Sequence, residues 1–155
     1  MDFRITGLDG ARFAHLFGLD DEALAHHNAC RRVADSHPGY PDRIALDDAA
    51  PGERLLLVNH LHHDVANPYR ASHAVYVREG GAERFDAIGR VPPSLRSRLL
   101  SLRAFDAAGM LQTADVVDGR ELEALIERLF AEPGVAYLHA HYARPGCYAA
   151  RIDRA

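Results

Sequence analysis

RLLLVNHLHHDVANPYRASHAVYVRE, residues Arg54–Glu79, sets two apolar runs, Leu55–Val58 and Ala74–Val77, around a polar middle with four histidines, Asp64 and Arg70. Leu55–His62 reads as a strand. Alternate strand residues share a face, which groups Leu56, Val58, His60 and His62 on one side. Asn67-Pro68 breaks regular pairing, so His63–Pro68 reads as loop and His63 as an exposed residue of it. Ala71–Arg78 is the returning strand, with His73 beside Val75 and Val77 at the edge of the core. The stretch is therefore a hairpin with a polar end.

Other segments add strands on both sides. Phe3–Leu8 alternates apolar and polar residues, a strand pattern. Asp9 caps a short helix over Ala11–Phe17, and Asp20 caps a second from Asp21 to about Asn28. Cys30–Ser36 is a weak strand, Arg43–Leu46 a short one, and Glu83–Ile88 another. Leu99–Asp106 and Met110–Val117 form a hairpin with glycine at Gly109, where a left-handed residue is wanted. Asp118 then opens the strongest helix, Gly119–Ala131. Its Leu122, Leu125, Ile126, Leu129 and Phe130 make one apolar stripe, and Pro133-Gly134 ends it. Val135–Tyr142 and Cys147–Asp153 close the chain as strands. These elements predict a single α+β domain over 1–155. It is a mostly antiparallel sheet of about seven strands with two or three packed helices, and the unit Met110–Tyr142 is able to add one parallel pair.

At 155 residues and 48% hydrophobic content the chain can bury a core without disulfides. The net charge of −4 and the absence of like-charge blocks speak against nucleic acid and membrane partners. The start, MDFRITGLDG, has no signal-peptide pattern, so a cytoplasmic location is expected. All 18 basic residues are arginine. Without lysine there is no Schiff base and no Walker-type phosphate lysine. Cys30 and Cys147 read as free thiols.

The sharpest chemical signal is His139-Ala140-His141, two imidazoles on one strand face with Tyr137. Two neighbouring imidazoles are half of a transition-metal site. His62 and His73 join them if the two stretches meet. Arg70, after Pro68-Tyr69, and Arg103, in line with Phe105, have the forked geometry that holds carboxylate or phosphate. This assigns His139, His141 and His62 as catalytic candidates. Arg70, Arg103, His73 and Tyr69 are the binding candidates, and a metal, if present, would sit on His139, His141 and His62. Cys147 follows the histidines across a turn, where cysteine–histidine chemistry is conceivable.

Several short motifs together resemble an uncharacterised bacterial family, number 1203 among the domains of unknown function. They are Gly39-Tyr40-Pro41-x-Arg43, Pro51-Gly52-Glu53, Pro68-Tyr69-Arg70-x-Ser72, Leu102-Arg103-Ala104-Phe105-Asp106, His139-x-His141 and Gly146-Cys147. The resemblance brings no activity. It implies a cysteine between Pro41 and Arg43, where this chain has Asp42, so a thiol pair with Cys147 is not available here. Three readings stay open. The first is a His/Arg pocket for a small anionic molecule, with histidine acid–base chemistry. The second is a non-catalytic or homodimerising module. The third is an enzyme with a histidine-bound divalent metal as cofactor.

Overall fold

Nine strands form two antiparallel sheets in the computed structural model, which describes residues 2–155. The smaller sheet has the order β2-β3-β4, from Ala29–Val33, Arg54–His63 and Ala71–Arg78. The larger has the order β5-β1-β9-β8-β6-β7. Its strands are β1 Phe3–Thr6, β5 Asp86–Ile88, β6 Leu99–Phe105, β7 Leu111–Asp118, β8 Tyr137–Tyr142 and β9 Tyr148–Arg154. Helices α1 (Asp21–His26), α2 (Pro93–Arg96) and α3 (Leu122–Phe130) complete the α+β domain.

One face of the large sheet is apolar because β6 and β8 alternate. Leu100, Leu102 and Ala104 lie beside Leu138, Ala140 and Ile152, and the α3 stripe from Leu122 to Phe130 packs on them. All five stripe residues are buried. The other face carries Arg103 and Phe105 opposite His139 and Tyr137. A second core joins Leu56, Val58, Val75 and Val77 of the small sheet to Phe13, Leu16, Leu24 and Tyr148.

Four expectations need correction. Ala11–Phe17 is two short 3₁₀ turns, Gly10–Arg12 and Ala14–Leu16; Asp9 caps the first by accepting from Ala11 N. Arg43–Leu46 is a buried turn rather than a strand. Asp42 caps it by accepting from Ala45 N, and Arg43 bonds across to Tyr148. The Met110–Tyr142 unit makes no parallel pair, because β7 and β8 both pair antiparallel with β6, which lies between them. His63 is no exposed loop residue; it ends β3 and is 3% exposed.

Candidate functional site

The site lies where the polar end of the small sheet meets β8 and β9. A register shift between Leu61 and His63 leaves His62 as an extra residue opposite β4. Such a bulge lets consecutive side chains point the same way. His62 therefore reaches His141 and His139, with ring centroids at 5.2 and 5.9 Å, while His63 reaches His139 at 5.1 Å. A second bulge, between Ala140 and His141, brings Tyr148 under the cluster, where its ring stacks on His62 at 4.9 Å. His73 completes the group, 4.5 Å from His62 and 5.3 Å from His141.

Some of the ring nitrogens have partners and some do not. His63 Nδ1 donates to the Tyr69 carbonyl at 2.8 Å, and its Nε2 is hydrogen-bonded to the Tyr137 hydroxyl at 2.7 Å. His73 Nδ1 accepts from Tyr148 N–H at 3.0 Å. The Gly146 carbonyl can only accept, so His141 carries its proton on Nδ1, 3.0 Å away. Both nitrogens of His62, Nδ1 of His139 and Nε2 of His141 are buried with no partner among the described residues. Buried polar atoms are rarely left so.

His62, His139 and His141 each offer a nitrogen, all within 4.8 Å of one another, and together could hold a metal ion. A tetrahedral centre with zinc–nitrogen bonds of 2.0–2.1 Å holds its nitrogens about 3.3 Å apart, a spacing of the same order. Burial keeps all three rings neutral, with help from neighbouring histidines for His62 and His139 and from Arg103 for His141. The imidazole of His62 is pushed down to about 3, that of His139 to about 2 and that of His141 to about 3. Neutral imidazole is the ligand form. The Gly146 carbonyl supplies the outer hydrogen bond that orients a ligating histidine.

His139 and His141 are buried, whereas His62, His73 and Arg103 are half-buried. Arg103 lies directly across from His139 and close enough to His73 and His141 to disfavour their protonation. Among the described residues it has no carboxylate partner. Arg70 points away, half exposed and paired with Asp64. Tyr69 is 38% exposed and meets the site through its carbonyl and an edge contact with Phe105. Cys147 makes its side-chain contact with Arg43, whose guanidinium is 3.1 Å from the sulfur. Sequence reasoning missed His63 and Tyr148 as parts of the cluster. No signal in the sequence announces either bulge.

The fold and site define an α+β domain with a buried histidine cluster between two sheets. The chain belongs to the family described as Protein of unknown function (DUF1203), whose model matches residues 39–154. No curated protein and no solved structure matches it. No helix among the described residues is long and apolar enough to cross a membrane.

Proposed function

We propose that this protein binds one divalent transition metal through His62, His139 and His141, and that Arg103 receives an anionic group of a small ligand beside it. The observation that carries the reading is the convergence of unpartnered, buried ring nitrogens from three separate histidines. Three neutral histidines and an open fourth position is the arrangement of catalytic rather than structural zinc. When bound, such a metal polarises a carbonyl or phosphoryl oxygen or activates water. The histidines hold the ion, Tyr148 and Phe105 wall it with aromatic surface, and Arg103 orients a carboxylate or phosphate. Histidine acid–base chemistry alone is the weaker reading, because efficient general bases titrate near the operating pH and these rings do not.

The test is metal content and spectroscopy on protein made without an affinity tag. Metal-depleted protein is titrated with Co²⁺, whose visible absorption distinguishes tetrahedral nitrogen ligation from loose octahedral binding. One equivalent with a tetrahedral spectrum, lost in His62→Gln, is expected. No stoichiometric uptake of Co²⁺ or Zn²⁺ would refute the reading.

A further inference from the structure

A groove of about 950 Å³ has no histidine in its lining, though one lining residue, Arg43, is close enough to His73 and His141 to disfavour their protonation. Arg43, Arg96, Arg98, Arg120 and Arg144 line it, against a single carboxylate, Asp118. That concentration of positive charge occurs in a chain of net charge −4. Three of the arginines are neutralised: Arg96 by Glu123, Arg98 by Asp48 and Arg120 by Asp118. The other two are not. Arg43 is 1% exposed and, among the described residues, donates only to the Pro41 carbonyl at 2.6 Å, the Tyr148 carbonyl at 2.8 Å and the Cys147 sulfur at 3.1 Å. Arg144 is exposed on the turn before Cys147 and has no carboxylate partner among the described residues.

A buried guanidinium with no counter-charge is costly, and an arriving anion offsets that cost. The rest of the lining is suited to an organic body. Leu57, Leu99 and Tyr76 supply apolar surface, and the Tyr142 ring is flanked by Arg43 at 4.8 Å and Arg98 at 5.0 Å. The volume is at the upper end of small-molecule sites, ~300–1,000 Å³.

We propose that this groove is a second binding site, for a small organic molecule bearing at least two negative charges on carboxylate or phosphate groups, with Arg43 and Arg144 as the cations that take its charge. Guanidinium forks match both kinds of oxyanion. The ligand body lies along Leu57, Tyr76 and Leu99 and covers Cys147, which lines the same groove.

That placement gives the test a built-in reporter. Full-length protein is treated with iodoacetamide at low ionic strength, and alkylation of Cys147 is followed by peptide mapping with Cys30, on β2, as the internal reference. Phenyl phosphate, citrate and neutral phenol are the added probes; the first two separate an organic phosphate from a polycarboxylate. The expected result is saturable protection of Cys147 by at least one of the two anions, tenfold or more, with Cys30 and the phenol control unaffected. Arg144→Ser should weaken that protection at least tenfold, whereas Arg32→Ser, an exposed arginine elsewhere, should not change it. His62→Gln should also leave it intact, which separates this site from the histidine cluster. Equal effects on both cysteines, or no protection by either anion at 10-millimolar levels, overturns the proposal. So does protection that is unchanged in Arg144→Ser.

Discussion

Gly119→Ala pits local propensity against tertiary contact. Gly119 opens the turn into α3, where alanine is normally the better residue by about 0.5–1 kcal/mol. In the fold, an added Cβ would lie 1.9 Å from the Leu95 carbonyl oxygen and 2.9 Å from the Arg96 backbone. Real Cβ contacts essentially never fall below 3.0 Å, so the backbone must move by more than an ångström. It is not free to do so. Gly119 N donates to the Arg98 carbonyl at 2.9 Å, and Arg96 Nη1 donates to the Gly119 carbonyl at 3.1 Å. Overpacking of this kind costs about 1–3 kcal/mol, and a lost hydrogen bond about 0.5–1.5 kcal/mol. After the helical gain, a net loss of about 2 kcal/mol remains, or a melting point lower by about 4–8 °C for a chain of this size. Urea and thermal unfolding of Gly119→Ala against the parent measure it. Gly146→Ala is the comparator, since its φ is +82° but nothing crowds its Cβ; backbone strain alone should cost it about 1 kcal/mol. A Gly119→Ala protein that melts at or above the parent would refute the assigned contact between α2 and the turn before α3.

Leu125 is 5% exposed in the α3 stripe, so Leu125→Ala should lose about 2–5 kcal/mol, read as a lower urea midpoint. Metal-free protein should be acid-sensitive well above the carboxylate range. Burial lowers His60 to about 4, His62 and His141 to about 3 and His139 to about 2, from an ordinary value of 6.5. Below pH 6.5 the unfolded chain binds the extra protons, so stability is full above that pH and falls as pH drops towards those values. The slope approaches about 1.4 kcal/mol per pH unit for each such histidine; a urea midpoint that does not change between pH 7.5 and pH 5 would contradict it. Zn²⁺ at a hundred times its dissociation constant should stabilise the native protein by about 2.7 kcal/mol, seen as a thermal shift that His139→Asn abolishes.

Local periodicity carried most of the fold. The Ala71–Arg78 strand, the Leu99–Val117 hairpin and the α3 stripe all follow from alternation or a 3.6-residue repeat, and all are present. Arg43–Leu46 misled because its apolar residues are buried by tertiary contacts around a turn, and its backbone bonds to scattered partners rather than to a strand ladder: Arg43 N donates to the Tyr76 carbonyl, Ala45 N to Asp42 and Phe85 N to the Ile44 carbonyl. The pairing of His139 with His141 was legible as i and i+2 on one strand. Their meeting with His62 was expected, but only on condition that the two stretches meet; the route was not legible, because β3 and β8 belong to different sheets and converge through the packing of one on the other. Arg70 and Arg103 read alike in sequence. The fold separates them: Arg103 faces His139 across a ladder, whereas Asp64, six residues before Arg70, draws it to the surface.

His62 comes from one sheet and His139 and His141 from the other. A metal shared by them would be a staple, closing the seventy-odd residues between His62 and His139 into a loop. Cross-linking a loop of that length removes chain entropy from the unfolded state, worth ~4–5 kcal/mol in the disulfide case. A chelator would then act on this protein as a reductant acts on a disulfide-bonded one, loosening the two sheets from each other before either loses its own pairing. Hydrogen exchange would show that order directly, with amides at the β3–β8 junction released ahead of those inside either ladder.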